Sequence, residues 1–142
     1  MVNVEFIEDR LAKIRASSAR LKKMQALTRE QFLADPDYYA IAEHHLRRSL
    51  ESMFDIGRHV IAKKGLGKPE NYSHIIELLG QHSIISPEFG ENIKGMAGYR
   101  NRLVHEYAHI TVEEIFNIIA TRLEDFERFG KYIVEFLENE GQ

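Results

Sequence analysis

The stretch DPDYYAIAEHHLRRSLESMFDIGRHVIAKKGLG, residues 35 to 67, decides the fold class because it contains one complete helix with its start and stop signals. Asp35 and Pro36 combine an N-cap residue with a proline at the first helical position. Residues 65 to 69, GLGKP, supply residues that end a helix. Between these signals, apolar residues recur at intervals of three and four. The stretch therefore predicts one long amphipathic helix.

The sequence on both sides of this stretch predicts further helices and no sheet, because no segment alternates apolar and polar residues between hairpin turns. The further predicted helices are residues 3 to 26, a short turn opened by a capping box at Thr28, residues 70 to 81, a helix from Ser86 and Pro87 through the segment at 99 to 109 to near Thr111, and a last helix opened by a second capping box at Thr111. We expect a single domain over residues 1 to 142. Its fold class is all-α, an antiparallel bundle of four main helices with an additional short helix.

The composition excludes several classes of function. The chain of 142 residues has no cysteine, which excludes disulfides, thiolate catalysis and cysteine-based zinc sites. Its 44% hydrophobic and 29% charged residues are ordinary for a globular domain, and no apolar run is long enough to span a membrane. The N-terminus lacks the apolar region of a signal peptide. We therefore expect a cytoplasmic protein.

Charge is distributed unevenly along the chain. The formal net charge is −3, yet residues 1 to 30 contain seven Lys or Arg against four Asp or Glu, and residues 113 to 142 contain three against eight. The basic residues of the first helix are Arg10, Lys13, Arg15, Arg20, Lys22 and Lys23. This helix either contacts nucleic-acid phosphates or presents an ordinary solvated face. His44, His45 and Arg48 on the long helix are further candidates to border a cleft.

The segment YRNRLVHEYAH, residues 99 to 109, can be interpreted in two ways. His105, Glu106 and His109 fit H-E-x-x-H, a helical motif in which two histidines bind zinc and the glutamate activates water. A catalytic zinc needs a third protein ligand, and the downstream carboxylates Glu124, Asp125 and Glu127 fall on what reads as a solvated helical face. A zinc hydrolase is therefore the third-ranked hypothesis.

The second interpretation involves no metal. Arg100 and His105 supply the cation and the imidazole that RNA cleavage without a metal requires, and Asn101 adds a neutral donor and acceptor. On an ideal helix, residues five apart differ by about 140° in direction, so Arg100 and His105 would not share a face, whereas Asn101 and His105 would. A symmetric dimer could bring two copies of the segment into one cleft. Alternatively, Arg100 and His105 cap or pair with a neighbouring helix.

RNRLVHEY, residues 100 to 107, resembles the R-x4-H-x-Y motif of the HepT-like toxins, members of the HEPN superfamily of all-α ribonucleases, and the similarity extends over roughly residues 35 to 135. The resemblance implies a homodimeric endoribonuclease that needs no metal or other cofactor and has RNA, either tRNA or mRNA, as its substrate. Arg100 and His105 would be its cleavage residues, with Asn101 supporting them. The two motifs would meet at the dimer interface.

The resemblance also implies a partner. In HepT toxins the tyrosine that corresponds to Tyr107 receives AMP from ATP, transferred by an MntA-like nucleotidyltransferase antitoxin that silences the toxin. Added bulk and phosphate charge two residues from His105 would repel an incoming RNA. The alternative for Tyr107 is an ordinary packing residue between helices. The rival function for the whole chain is a non-catalytic subunit that binds a nucleotidyltransferase.

Overall fold

The computed structural model describes residues 1–105 and 110–141, and within these ranges the chain forms eight α-helices and no strand. The helices are α1 Val4–Met24, α2 Arg29–Ala34, α3 Pro36–Lys64, α4 Tyr72–Gln81, α5 Pro87–Ile93, α6 Gly95–Val104, α7 Val112–Thr121 and α8 Leu123–Glu140. The predicted all-α class is confirmed. No described helix combines the length and the apolar character that a membrane span requires.

Helix α3 lies at the centre of the bundle and packs against α1, α2, α4, α6, α7 and α8. Its side chains Leu46, Leu50 and Ile61 have no exposed surface, and apolar burial of this kind is the main force that holds the helices together. Three contacts show that α1 and α3 are antiparallel, because they join Asn3 to His59, Arg10 to Asp55 and Ser17 to His45.

The local start and stop signals form as the sequence predicts. The Asp35 side chain accepts a hydrogen bond from the Asp37 N–H at the start of α3, and Gly65 ends that helix in the left-handed conformation, with φ of 65°. Capping boxes open α2 at Thr28 and α7 at Thr111. These helix boundaries are therefore set by residues within a few positions of each other.

The helix predicted from Ser86 to near Thr111 is wrong in two respects. It is interrupted at Lys94, which separates α5 from α6 although its φ of −53° and ψ of −35° remain helical. It then ends at Val104, because His105 adopts extended backbone angles, φ −90° and ψ 121°. The segment that carries the motif therefore leaves the helix at the histidine.

The predicted single last helix is also interrupted, at Arg122. This residue has φ of −120° and ψ of 0°, outside the helical region, and it separates α7 from α8. Its Nη2 donates a 2.6 Å hydrogen bond to the Asn92 carbonyl oxygen, and its Nε lies 3.0 Å from Asp125 Oδ2. The break between α7 and α8 is therefore fixed by a hydrogen bond to Asn92 of α5. Phe126, Phe129 and Phe136 of α8 are buried, as expected for packing aromatics.

Candidate active site

Helix α6 carries the first half of the R-x4-H motif and is anchored in the core by its first turn. Met96 has no exposed surface and Ala97 only 5%, and α6 packs against both α3 and α4. Arg100 follows Met96 by one helical turn and is half-buried, as is Asn101. The buried first turn therefore fixes the positions from which both side chains extend.

The Arg100 side chain is held by an aromatic ring. Its guanidinium carbon lies 4.1 Å from the centre of the Tyr72 ring, a cation–π contact. Its Nε is buried and has no hydrogen-bond partner among the described residues. Among the described residues, the cation–π contact with Tyr72 therefore restrains this guanidinium.

His105 lies where α6 ends, and its side chain is exposed. Its backbone N–H donates to the Asn101 carbonyl oxygen at 3.1 Å, which closes the last turn of the helix. The helical angle between Arg100 and His105 that the sequence suggested does not apply, because the chain becomes extended at His105. The structure therefore brings Arg100, Asn101 and His105 to the same end of one helix.

Arg102, between these residues, has a different environment. Its Nη1 and Nη2 donate to the two carboxylate oxygens of Glu114 at 2.6 and 2.7 Å. These hydrogen bonds are the largest cause of a drop in the pKa of Glu114 from 4.5 to about 2. Glu114 is also the acidic residue of the capping box at Thr111. The end of α6 is therefore tied to the first turn of α7.

A second contact fixes the chain just before α7. The Tyr39 hydroxyl of α3 donates a 3.1 Å hydrogen bond to the carbonyl oxygen of Ile110, a buried residue. Burial, and to a lesser degree the nearby Glu43, raises the pKa of Tyr39, so this hydroxyl keeps its proton as a donor. The described residues on both sides of positions 106 to 109 are thus held to the bundle.

The zinc hypothesis and the modification of Tyr107 both involve residues of the segment 106 to 109. Glu106, Tyr107 and His109 lie outside the described residues. The helical H-E-x-x-H geometry is not present at its first position, because α6 ends before His105. Among the proposed third ligands, Glu124 and Glu127 are exposed, whereas Asp125 is half-buried beside Arg122, and burial raises its pKa.

Several of the other residues suggested to contact RNA or border a cleft instead contact residues within the bundle. Arg10 of α1 pairs with Asp9 and Asp55, and Lys13 also pairs with Asp9. His45 Nδ1 lies 3.0 Å from Ser17 Oγ, and burial, followed by the neighbouring His44, lowers its pKa. Arg10 and Lys13 are therefore partly neutralised by acidic neighbours. That His44, His45 and Arg48 border a cleft stays a prediction.

The family model described as Ribonuclease HepT-like matches residues 14–133, which include α3, α4 and all of α6. The chain belongs to this family. The predicted family and the ribonuclease class are confirmed by this match, because it spans most of the chain. The HepT-like domain here therefore carries its motif at the end of α6, beside the start of α7.

Two curated relatives of this HepT-like chain are nucleases. It is 32% identical to the tRNA nuclease HepT of Aphanizomenon flos-aquae over 140 residues, which are 96% of this chain and 95% of the relative. It is 33% identical to the mRNA nuclease HepT of Shewanella oneidensis over 85 residues, 60% of this chain and 64% of that one.

Solved structures with the same fold include toxin–antitoxin complexes. A tri-AMPylated Shewanella oneidensis HEPN toxin in complex with MNT antitoxin superimposes with a TM-score of 0.84 at 27% identity, covering 94% of this chain and 99% of the other. A toxin–antitoxin with AMP-PNP gives a TM-score of 0.80 at 27% identity, covering 92% and 98%. The cytosolic Bacillus subtilis protein YutE, at 20% identity and a TM-score of 0.84, shares the fold.

Sequence reasoning missed three residues near the motif: Tyr72, Arg58 and Arg102. Tyr72 is the first residue of α4, and Arg58 approaches the same ring at 5.3 Å. Nothing local to either residue indicates this contact, because it depends on how α3, α4 and α6 pack. Arg102 had one usable signal, since an arginine before a capping box can pair with the acidic residue of that box.

Proposed function

We propose that this HepT-like ribonuclease is the toxin of a toxin–antitoxin pair and cleaves RNA without a metal, using Arg100, His105 and Asn101. One observation carries the assignment of Arg100. Of the two arginines in the motif, Arg102 is fully paired with Glu114, whereas Arg100 has no carboxylate or hydrogen-bond partner for its Nε among the described residues. The cation–π contact with Tyr72 does not use up the N–H groups of Arg100, and its terminal N–H groups can donate to phosphate oxygens.

In the proposed reaction the ribose 2′-oxygen attacks the adjacent phosphorus atom, the bond to the 5′-oxygen breaks, and that oxygen leaves with a proton. His105 either accepts the proton of the 2′-hydroxyl or donates one to the leaving oxygen, the two roles that an imidazole takes in general acid–base catalysis. Arg100 stabilises the charge on the phosphate oxygens. Asn101 supports the site from the turn that its carbonyl oxygen closes with His105.

One histidine per motif supplies one proton-transfer group, so the proposed enzyme is a homodimer in which the two motifs share a cleft. Symmetric dimers bring identical surfaces together, which would place a second His105 near the first. Val104, next to His105, is 40% exposed, and it would be covered if the two motifs met. The dimer would thus complete the acid and base pair.

The proposed regulation is AMP transfer to Tyr107 by an MntA-like nucleotidyltransferase antitoxin. The tyrosine is two residues from His105 in the sequence. The structural relatives that contain an AMPylated toxin with an MNT antitoxin, or a toxin–antitoxin with AMP-PNP, support this partner class. An added phosphate would repel RNA at the site.

The test is cleavage of total tRNA and of an mRNA by the purified protein in EDTA, with Tyr107 shown by intact mass to be unmodified. Arg100→Ala and His105→Ala should each reduce the rate by 100-fold or more, on the order expected for loss of an acid–base or charge-stabilising group. His82→Ala is the matched control, because His82 is also an exposed residue that ends a helix. Arg128→Ala controls for Arg100, since its guanidinium also stacks on a ring, that of Phe89 at 4.6 Å.

The outcomes separate the hypotheses. Cleavage in chelator that both substitutions abolish supports the proposed enzyme, whereas cleavage that EDTA abolishes overturns the metal-free mechanism. If the unmodified protein cleaves neither RNA, the non-catalytic partner of a nucleotidyltransferase replaces the proposal.

A further inference from the structure

Tyr72 is contacted by two arginines from different helices. The Arg100 guanidinium carbon of α6 lies 4.1 Å from the ring centre, and that of Arg58 of α3 lies 5.3 Å from it. Both guanidinium carbons lie within 5.3 Å of the ring centre, so the distance between the two carbons cannot exceed the sum of their distances to that centre. The ring also packs edge-on against the buried Phe54, with centroids 5.0 Å apart. Two positive charges are therefore gathered around one fixed aromatic ring.

The packing of α4 on α3 places the ring there. Asn71 caps α4, its side chain accepting from the His74 N–H, which makes Tyr72 the first helical residue. One turn further on, α4 crosses α3 at Gly57, where an added Cβ would lie only 2.7 Å from Ile75 Cγ2. The absence of a side chain at residue 57 thus permits the close approach that brings Arg58, its neighbour in the chain, to Tyr72.

No carboxylate among the described residues pairs with either arginine of this pair. In the part of the chain that the structure describes, ion pairs to carboxylates form at Arg10, Arg29, Arg102 and Arg122. Neither Arg58 nor Arg100 has such a pair in those residues. Two cations at one ring raise the local positive potential, and a bound anion lowers it. Since Arg58 is exposed and Arg100 half-buried, an anion can reach the pair from solvent.

We propose that Arg58 binds a phosphate of the RNA strand next to the scissile phosphate, and that Tyr72 positions Arg58 and Arg100 as a pair. This inference rests on the proposed ribonuclease function of Arg100. The cation–π contacts leave both guanidinium groups without a carboxylate partner among the described residues, and guanidinium N–H groups bind phosphate oxygens in pairs. Arg58 is then a substrate-binding residue and Tyr72 a positioning residue.

The first arm of the test measures binding without cleavage. A 2′-O-methyl RNA oligonucleotide lacks the attacking hydroxyl, so its affinity can be measured by fluorescence anisotropy whether or not the protein is a nuclease. Arg58→Ala should weaken binding about tenfold at low salt and reduce the slope of log affinity against log salt by about 0.7, the contribution of one phosphate contact to a single strand. Arg128→Ala, which removes an arginine stacked on Phe89, is the control.

The second arm measures cleavage. Tyr72→Leu removes the aromatic face and should lower kcat/KM about tenfold through misplaced Arg100, while Tyr72→Phe keeps the face and should restore most of that loss. Arg58→Ala should raise KM far more than it lowers kcat, because it acts on binding. Thermal unfolding of each variant identifies any that fail to fold.

The two proposals fail in different ways. If Arg58→Ala binds the oligonucleotide as Arg128→Ala does at every salt concentration, or if Tyr72→Phe loses as much activity as Tyr72→Leu, the inference is overturned. If wild-type protein binds RNA through Arg58 but cleaves none, the phosphate contact of Arg58 stands, whereas the proposed ribonuclease function and the position next to a scissile phosphate are lost.

Discussion

The carboxylate of Glu114 accepts two hydrogen bonds from the guanidinium of Arg102, and this ion pair joins the end of α6 to the first turn of α7. The same carboxylate closes the capping box with Thr111, so one side chain stabilises a helix start and a contact between helices. The pair therefore links the described chain before positions 106 to 109 to the described chain after them. The Arg102–Glu114 pair should therefore contribute to the free energy of unfolding and make that free energy depend on pH.

Glu114→Gln should lower the free energy of unfolding at pH 7 by about 1 kcal/mol, the upper end for a partly exposed pair. Glutamine still serves the capping box, so the change isolates the ion pair. The folded-state pKa of Glu114 is about 2 against an ordinary 4.5, so the stabilisation is present above pH 4.5 and is lost as the pH falls towards 2. Urea unfolding of both proteins at pH 7 and pH 3 measures the difference.

Glu113→Gln is the matched control for this pair. Glu113 pairs with Arg29 at 2.6 Å, but both side chains are more than half exposed, and water and salt screen such a pair. The control should change stability less than Glu114→Gln at pH 7. A difference between wild type and Glu114→Gln that is as large at pH 3 as at pH 7 would contradict the assignment.

Tyr107→Phe should make the protein resistant to its antitoxin. AMP transfer joins the phenol oxygen to the α-phosphorus of ATP and releases pyrophosphate, and phenylalanine lacks that oxygen. After incubation with an MntA-like nucleotidyltransferase and ATP, wild type should gain the mass of an adenylyl group, which is AMP less one water, and lose at least 90% of its RNA cleavage, roughly as expected when a phosphate repels the substrate. Tyr38→Phe, which removes a different phenol, should be silenced like wild type. AMP addition to Tyr107→Phe would place the modification elsewhere.

The parts of the fold that the sequence predicted depend on short-range chemistry. The capping boxes at Thr28 and Thr111 and the stop at Gly65 each involve residues within a few positions of each other, and all three form as expected. The break at Arg122 was not predicted, because it depends on a hydrogen bond to the distant Asn92 carbonyl. A long-range contact leaves no periodic or capping signal in the sequence.

The residues of the candidate site also fall into those that the sequence indicates and those that only the packing reveals. The motif identified Arg100, Asn101 and His105, and the structure places them at one end of α6, although it ends that helix earlier than the periodicity suggests. The motif gave no indication of Tyr72 or Arg58, because their approach to Arg100 follows from the packing of three helices. The sequence thus supplied the candidate side chains, and the packing of the helices determines what holds them.

Gly57→Ala should destabilise the crossing of α3 and α4. The new Cβ would lie 2.7 Å from Ile75 Cγ2 and 3.1 Å from Leu79 Cδ1, and both side chains are buried, so they cannot move freely. We expect a loss of about 1–3 kcal/mol in the free energy of unfolding, the usual cost of overpacking a core. Gly98→Ala, whose added Cβ would meet no atom of another described element within 4 Å, should instead add up to about 1 kcal/mol through helix propensity. Equal effects of the two substitutions in urea unfolding would refute the close crossing.

The last prediction concerns His59, which holds the start of α1. Its Nε2 accepts a 2.9 Å hydrogen bond from the Asn3 N–H, and an imidazole can accept there only while that nitrogen is unprotonated. Burial, followed by the charges of Lys63 and the chain N-terminus, lowers the pKa of His59 below the ordinary 6.5. A lowered histidine pKa means that its stabilisation is present above pH 6.5 and is lost as the pH falls through the folded-state value.

His59→Gln keeps a neutral acceptor at every pH, so it should reduce the fall in Tm between pH 7.5 and pH 5 by roughly 2 °C relative to wild type. His82→Gln, which changes an exposed histidine at the end of α4, should leave the wild-type fall unchanged. Thermal unfolding followed by circular dichroism at both pH values gives the comparison. If His59→Gln loses as much Tm on acidification as wild type, protonation of His59 does not release α1, and the acid sensitivity must come from other groups such as His45, whose pKa burial also lowers.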